Sequence, residues 1–174
     1  MTFSNANLDV NLLPTVRQPE FIPLEKGYHQ VILLENFIAT GLLLIGFLVL
    51  YFWGDLPEIH QFWYVPVIGI GVLMGFVFWF RPKAFSRKGY QLRERDIIFR
   101  TGLWWQTETV IPFVRVQHSE VTQGPLGRLF GYATLNLYTA GGSKSDLSIP
   151  ALHPETARKL EQFVSQKAGL DETE

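Results

Sequence analysis

The chain has no cysteine, and this absence excludes several chemistries at once. Without thiols there are no disulfide bonds, no thiolate nucleophile and no cysteine ligands for zinc or iron–sulfur clusters. Histidine is scarce as well: the four histidines lie far apart, and none forms a His-x-x-x-His pair. A Gly-x-Ser-x-Gly motif is also missing. We therefore predict a protein that has no metal or cofactor and is not an enzyme.

Charged residues are missing from two segments, 36–54 and 62–80, each of which is 19 residues long. A helix of this length, at 1.5 Å per residue, spans roughly 28 Å, close to the ~30 Å hydrocarbon core of a bilayer. Neither segment has the polar face that a soluble helix presents to water. Only a short stretch containing Pro57 joins them, so residues 31–80 are predicted to form an antiparallel transmembrane hairpin.

Basic residues are distributed unevenly around the two apolar segments. Two precede the first segment, none lies in the connection, and seven lie within residues 81–100. Because basic residues are enriched on the cytoplasmic side of membrane proteins, both termini are predicted to be cytoplasmic. The N-terminus lacks the pattern of a cleaved signal peptide, so both spans are expected to remain in the mature protein.

Two features of the predicted hairpin stand out. Gly71 and Gly75 have a Gly-x-x-x-Gly spacing, which allows helices to pack closely in lipid. The alternative is that glycine is simply common in such helices. Glu35 and Asn36 stand at the edge of the first span, and we interpret them as interfacial residues that extend towards water rather than as a buried relay.

After the second span the pattern changes to short β-prone runs separated by turn residues, which is typical of an antiparallel sheet or small barrel. Apolar residues at helical spacing predict a C-terminal helix over residues 154–168. Residues 81–174 are therefore predicted to form one mostly β domain closed by a helix, and residues 1–30 an irregular cytoplasmic arm. The six predicted strands cover residues 88–92, 96–101, 104–112, 114–122, 132–138 and 146–149.

The segment 124–131 is too rich in glycine for a strand and too long for a tight turn. We expect a short helical or irregular connection at this point. Its apolar residues Leu126, Leu129 and Phe130 are expected to pack inward.

Several short motifs in this domain resemble, in order and spacing, those of the bacterial pleckstrin-homology-like domain of membrane-flanked proteins. The motifs are Ile111-Pro112, Arg115-Val-Gln117, the segment 124–131 with its Arg128-Leu-Phe-Gly131 core, and Thr139-Ala-Gly141. The resemblance covers residues 35–168 and implies a bent, seven-stranded antiparallel barrel with one open end closed by the C-terminal helix. Because the strand count is six, either the run 114–122 is split or another strand lies near Ala84.

The resemblance also implies a mainly structural role for the motif residues. These are Pro112, Arg115, Gln117, Gly127, Arg128, Phe130, Gly131 and Gly141. For Arg115 and Arg128 we favour ion pairs that hold the loop against the sheet, with binding of an anionic ligand as the alternative. Longer members of the family carry several copies of the domain, so a hetero-complex with such a protein is expected by resemblance.

Two further groups of residues are candidates for contacts with the membrane or with a partner. Six basic residues are expected either to contact anionic headgroups, at about 1 kcal/mol each, or only to set the topology. They are Arg81, Lys83, Arg87, Lys88, Arg93 and Arg95. Trp104 and Trp105 are adjacent, so in a strand one of them is exposed and is a candidate contact for a partner or the membrane.

Two functions remain open from the sequence. The first is a non-enzymatic protein of the bacterial inner membrane that presents its PH-like domain at the cytoplasmic face as an interaction and assembly module. Its partner would be a second copy of the chain or a longer membrane-flanked relative. The second function is a sensor of anionic lipid or of a small ligand, linked to envelope stress. No feature of the sequence indicates a nucleic-acid partner.

Overall fold

The computed structural model describes residues 20–54, 57–140 and 145–169, apart from the side chains of Glu58 and Ile59. It consists of a helical hairpin followed by a mostly β domain, in the order that the sequence predicts. Two antiparallel sheets and a C-terminal helix form the domain.

The hairpin consists of two long helices, α1 (His29–Trp53) and α3 (Tyr64–Ser86), with the short helix α2 (Pro57–Gln61) between them. Both α1 and α3 are long and apolar enough to cross a membrane. Most of their large apolar side chains are exposed, which a helix in the core of a soluble protein would not show. The predicted hairpin of two apolar helices is confirmed.

Helix α3 continues beyond the second predicted span and passes through Pro82 before it ends at Ser86. The φ of proline is compatible with a helix, and the carbonyl that proline leaves unpaired is tolerated in helices of membrane proteins. The Ser86 hydroxyl donates a hydrogen bond to the Pro82 carbonyl at 2.7 Å. The predicted domain boundary at residue 81 therefore lies inside a helix.

Within the described ranges, seven strands form two antiparallel sheets. The strands of the first sheet, in spatial order, are β1 (Ile22–Pro23), β2 (Gly89–Leu92), β3 (Asp96–Thr101) and β4 (Thr107–Pro112). Those of the second are β5 (Val116–Thr122), β6 (Ala133–Thr139) and β7 (Leu147–Leu152). The connecting helix α4 (Pro125–Phe130) and the terminal helix α5 (Pro154–Ala168) complete the domain. The predicted PH-like fold, an antiparallel β domain capped by a C-terminal helix, is confirmed.

The hydrophobic core of the domain contains residues of both sheets and of α5. Leu135 and Leu137 of β6 are fully buried and alternate with partly exposed residues, as expected for a strand with one buried face. Ala157, Leu160 and Val164 form the buried stripe of α5, because residues three and four apart share one face of a helix. The terminal helix therefore has both the bounds and the buried face that the sequence predicts.

The seventh strand, β1, lies before α1 rather than at either place that the sequence suggests. Ile22 pairs with Tyr90, and Pro23 pairs with Gly89. Gly89 permits this approach, since a Cβ there would lie 3.1 Å from the Ile22 carbonyl oxygen. The predicted split of the run 114–122 and the predicted strand near Ala84 are both wrong.

Two predicted strands begin too early. The strand expected from residue 104 begins at Thr107, because the chain turns at Gly102. Gly102 has a φ of +105°, and a Cβ there would lie 1.7 Å from the Trp105 carbonyl oxygen. The strand expected from residue 114 begins at Val116, since a 3-10 helix over Phe113–Arg115 precedes it. The ends of the other predicted strands differ by at most three residues.

Candidate functional site

A polar cluster joins α1 to α3 at the end of the hairpin nearest the β domain. Arg81 of α3 donates hydrogen bonds from its two Nη atoms to Asn36 Oδ1 and to Glu35 Oε2. Asn36 is only 1% exposed, and its carbonyl accepts a 2.7 Å hydrogen bond from the Thr40 hydroxyl. The interpretation of Glu35 and Asn36 as side chains that extend towards water is therefore wrong for Asn36, and Glu35 is bound to Arg81.

This cluster depends on one donor group. The planar guanidinium of Arg81 presents N–H groups in a fork, which suits two acceptors on consecutive residues of one helix. The Asn36 Nδ2 atom is buried and has no hydrogen-bond partner among the described residues. Loss of Arg81 would leave the Asn36 oxygen unpaired as well, and each such buried group is costly.

Aromatic packing connects the segment before α1 to the rest of the molecule. The Tyr28 ring stacks on Phe85 of α3 with centroids 5.2 Å apart, and it meets Tyr132 edge-on at 5.4 Å. Leu24 and Phe85 are buried in the same core as the strands of the β domain. The end of the hairpin and the β domain therefore share one hydrophobic core.

The glycine-rich motif forms α4, which lies beside the start of α1. Pro125 occupies the first turn of α4, and Gly131 ends the helix with a φ of +72°. Gly127 packs against backbone, since a Cβ there would lie 2.7 Å from the Tyr132 carbonyl oxygen. The Tyr132 N–H donates to the Gly127 carbonyl at 2.7 Å. A close approach at Gly127 and a positive φ at Gly131 thus explain two glycines of the motif.

One prediction about this loop is wrong, and another finds no support among the described residues. Leu129 is exposed rather than packed inward, whereas Leu126 and Phe130 are half-buried. Within the described part of the chain, no carboxylate oxygen lies within 4 Å of the guanidinium of Arg115 or Arg128, so the favoured ion pairs do not form there. Backbone hydrogen bonds hold the loop instead.

The remaining motif residues mark the ends and irregularities of strands. Pro112 is the last residue of β4. Gln117 lies between Val116 and His118, where the pairing of β5 with β6 shifts at a β-bulge. Gly141 lies outside the described residues. The structural role that the resemblance implies for these three residues stays a prediction.

The structure separates the six basic residues that were predicted to contact headgroups. Four of them are in or directly after the last turns of α3: Arg81, Lys83, Arg87 and Lys88. The other two, Arg93 and Arg95, lie in the turn between β2 and β3. Because β2 runs for its whole length between the end of α3 and this turn, the two groups lie at opposite ends of that strand. The six residues do not form one basic surface.

Trp104 and Trp105 lie in the turn between β3 and β4, which folds back onto α3. The Trp104 ring centroid is 5.2 Å from that of Phe80 and 6.4 Å from that of Phe76. Trp104 is 62% exposed and Trp105 is 84% exposed. Both tryptophans are therefore accessible, rather than one of the two as predicted from a strand.

Gly71 and Gly75 lie on an exposed face of α3. Among the described residues, nothing lies within 4 Å of a Cβ placed at either glycine. Helix α1 therefore does not pack against this face. The close helix packing predicted from the Gly-x-x-x-Gly spacing is not used inside the hairpin and stays a prediction for contact with another chain.

A cavity of about 250 Å³ lies where α1 begins and α3 ends. Lys26, His29 and Lys88 line it together with the apolar side chains Leu24 and Phe85. Burial, followed by the charge of a neighbouring arginine, lowers the pKa of Lys88. No carboxylate is among the described residues that line the cavity, so it is suited to an anionic group.

Sequence reasoning missed Lys26 and His29, because the segment that holds them was predicted to be an irregular arm. A signal was nevertheless present. The two residues lie within ten residues of the first apolar segment, 36–54, where side chains are close to the level of lipid headgroups.

Comparison with known proteins decides the family. The family model described as "Bacterial PH domain" matches residues 30–168, which is most of the chain. The chain belongs to the bacterial PH domain family. The match takes in the hairpin as well as the β domain and α5, so all three are parts of the family's architecture.

Two relatives of this bacterial PH domain protein are transmembrane proteins by name. The UPF0699 transmembrane protein YdbS of Bacillus subtilis (strain 168) is 36% identical over 81 residues, which cover 47% of this chain and 49% of YdbS. The UPF0699 transmembrane protein YdbT of the same strain is 23% identical over 101 residues, which cover 55% of this chain and 20% of YdbT. No solved structure matches significantly. With its two apolar helices, the chain is a membrane protein that carries a bacterial PH domain.

One polar cluster of this bacterial PH domain lies between the second sheet and the terminal helix. Ser119 of β5 donates a 2.7 Å hydrogen bond to Glu161 of α5, and the Ser165 hydroxyl donates to the same carboxylate at 2.9 Å. This group fastens α5 to the second sheet. In the described ranges, no three or more His, Asp or Glu side chains are arranged to hold a metal ion.

Proposed function

We propose that this chain is a non-enzymatic protein of the bacterial inner membrane that presents its PH domain at the cytoplasmic face as an assembly module. The partner would be a second membrane-flanked protein of the same family. The observation that carries the proposal is the open edge of β4. Among the described strands, β4 pairs with β3 on one side and has no strand on the other.

The open edge of β4 has the chemistry of a protein contact. Val110 of β4 is exposed, and Val114, just beyond the end of the strand, is 85% exposed. An unpaired strand edge presents a row of backbone donors and acceptors, to which another chain can add a strand. The neighbouring valines add apolar surface to this hydrogen-bonding edge.

The two relatives support a partner from the same family. YdbS and YdbT come from one organism. The aligned region covers 55% of this chain but only 20% of YdbT. YdbT is therefore the longer protein. A short and a long relative in one organism fit a pair of proteins that assemble with each other.

Charged substitutions at the β4 edge are expected to remove the partner. In the double variant Val110→Glu and Val114→Glu, two carboxylates would have to be desolvated at the contact, and we expect roughly tenfold less partner, or about 1.4 kcal/mol. The measurement is purification of the tagged full-length protein from its native membranes in mild detergent, with quantification of the retained family member.

The matched control is Gln162→Glu, which adds a carboxylate to an exposed position of α5. Because both valines are exposed, the folded state should tolerate the double variant. Equal recovery of the partner with the β4 variant and with the control would contradict the proposed contact.

The proposed orientation rests on charge and on the shared core. Leu24, before α1, and Phe85, at the end of α3, are buried together with the strands of the PH domain. The segment before α1 and the PH domain must therefore lie on the same side of the membrane. Seven basic residues follow the second span within residues 81–100, which favours the cytoplasmic side.

Single cysteines are expected to report this orientation without background, because the chain has none of its own. Gln61→Cys, in the connection between the spans, is expected to react with a membrane-impermeant maleimide in intact spheroplasts. Gln162→Cys on α5 is expected to react only after the membrane is permeabilised. Labelling of Gln162→Cys in intact spheroplasts would refute the cytoplasmic placement of the PH domain.

The cavity lined by Lys26, His29 and Lys88 favours a second candidate function, binding of an anionic lipid headgroup. It lies at the end of both long helices, where headgroups surround a membrane protein, and its described lining combines cations with apolar side chains. Arg93 and Arg95 do not contribute, because they lie at the far end of β2. The same purification tests this function: an anionic phospholipid retained without a family partner would support it against the first.

A further inference from the structure

The turn between β3 and β4 has an apolar tip and a charged base. Trp104 and Trp105 form the tip and are both exposed. At the base, Arg100 of β3 and Glu108 of β4 form an ion pair across the strands at 2.7 Å. A boundary between apolar and charged side chains therefore lies between the tip and the base of this turn.

The contact with α3 determines the depth of the tip. Trp104 packs against Phe76 and Phe80, both of which belong to the apolar segment 62–80. Phe76 lies four residues further into this segment than Phe80, or about 6 Å along the helix axis. Since α3 crosses the membrane, a side chain in contact with both rings lies at the level of the bilayer and not above it.

The surface that Trp104 touches is the lipid-facing surface of α3. Phe76 is exposed, as is its neighbour Trp79, and α1 does not cover either. The exposed indole of Trp105 continues this apolar surface outward from the helix. Indole rings favour the membrane interface, because they have an apolar body and one N–H donor that remains hydrated.

We propose that the β3–β4 turn, residues 102–106, inserts into the interfacial layer of the bilayer, with Trp105 in direct contact with lipid. The occupant of this exposed apolar surface is the bilayer itself, because the surface is continuous with a membrane-spanning helix. The ion pair of Arg100 and Glu108 lies at the headgroup level. The inserted turn gives the PH domain a membrane contact besides the hairpin and sets its tilt, independently of any protein partner.

The tight geometry of the turn makes the insertion specific. Gly102, at a φ of +105°, brings its backbone against the Trp105 carbonyl and holds both indoles in one compact turn. A loop without this close backbone contact would lose more conformational entropy on entering the interface than the compact turn does.

The proposal is tested with the full-length chain carrying Trp105 as its single tryptophan. The other four are replaced by phenylalanine, including Trp104→Phe, which keeps an aromatic ring against α3. The protein is reconstituted into phosphatidylcholine and phosphatidylglycerol vesicles whose acyl chains are brominated close to the headgroup. Trp105 is expected to lose roughly half of its emission relative to unbrominated vesicles and to resist quenching by aqueous iodide.

The matched control moves the single tryptophan to the other end of the domain, with Glu94→Trp in the β2–β3 turn and Trp105→Phe. Its emission is expected to respond to iodide and not to bromine. A Trp105 that behaves like this control overturns the proposal. A Trp105 shielded from both quenchers is covered by protein, and that result overturns the proposal as well.

A second variant keeps the test independent of the tryptophan replacements. Trp105→Cys, in an otherwise native chain, provides a single site for an environment-sensitive maleimide dye. A blue shift of the dye in vesicles relative to Glu94→Cys is expected, and equal spectra at the two sites would overturn the proposal.

Discussion

Replacing Arg81 with methionine is expected to lower the apparent melting temperature in mild detergent by roughly 5 °C, for a loss of about 2 kcal/mol. The guanidinium is the donor to both Asn36 Oδ1 and Glu35 Oε2. Asn36 is buried, so its oxygen finds no water when the donor is removed. Methionine retains an unbranched apolar stem, which limits the change in packing. Intrinsic fluorescence during heating measures the effect.

The control for this prediction is Lys83→Met, two residues further along α3. It removes the same charge, but Lys83 is exposed and its ammonium only lies over the Trp79 ring at 4.1 Å. The expected loss is less than about 1 kcal/mol. Equal melting temperatures for the two variants would mean that the Arg81 cluster does not fasten the helices.

Replacing Gly102 with alanine is expected to destabilise the protein by about 2 kcal/mol and to shift tryptophan emission to longer wavelength. A Cβ at this position would lie 1.7 Å from the Trp105 carbonyl oxygen, and the φ of +105° is itself unfavourable for alanine. The obstructing atom belongs to the backbone, so a change of rotamer cannot relieve the clash. The turn must open, which moves Trp104 away from α3. Thermal unfolding and emission spectra measure the two effects.

Gly124→Ala is the matched control for this glycine. Gly124 has a φ of −70°, and nothing among the described residues lies within 4 Å of a Cβ placed there. We expect a change within about 0.5 kcal/mol and an unchanged emission spectrum. A Gly102→Ala protein as stable as this control would show that the turn does not need glycine.

Segments whose structure is decided by a long local pattern were predictable from the sequence. The apolar runs 36–54 and 62–80 mark α1 and α3, because both their length and their lack of charge match a bilayer. Helix α5 shows buried Ala157, Leu160 and Val164 at helical spacing, so its bounds followed from periodicity alone.

Features decided by distant residues were not predictable in this way. Strand β1 has two residues, one of them proline. It pairs with β2 because Gly89 lets the two strands approach each other closely. In the polar cluster, Arg81 bonds to Asn36 and Glu35, which precede it by 45 and 46 positions. No local sequence pattern predicts contacts over such a separation. The prediction of a strand from residue 104 was wrong because the positive φ of Gly102 makes the chain turn there. The β-propensity of the two tryptophans favours a strand but does not override this turn.

The residues of the candidate site also divide into those that a local pattern predicts and those that depend on contacts between distant segments. The glycines of the α4 motif and the basic residues of segment 81–100 were found from sequence, since each belongs to a short pattern. Lys26 and His29 were missed because their cavity exists only when the start of α1 meets the end of α3. Arg93 and Lys88 lie at opposite ends of β2, so their separation in space depends on the direction of that strand. A count of basic residues in the sequence gives no information about strand direction.

The PH domain, the hairpin and the segment before α1 share one core, so the membrane sets the position of every surface of the domain. The β3–β4 turn touches α3, and β4 begins directly after it. In the proposed arrangement, the open edge of β4 would lie at a fixed height above the bilayer. A partner that is also anchored in the membrane would meet this edge at a matching height.

The most direct test of the central claim is purification of the tagged full-length protein from its native membranes in mild detergent. The mass of the particle and the identity of every retained protein and lipid are then determined. We expect a stoichiometric complex with another membrane-flanked bacterial PH domain protein, either a longer relative or a second copy. A monodisperse monomer that retains no family partner would contradict the assembly function, and one that retains anionic phospholipid would move the assignment to the cavity of Lys26, His29 and Lys88.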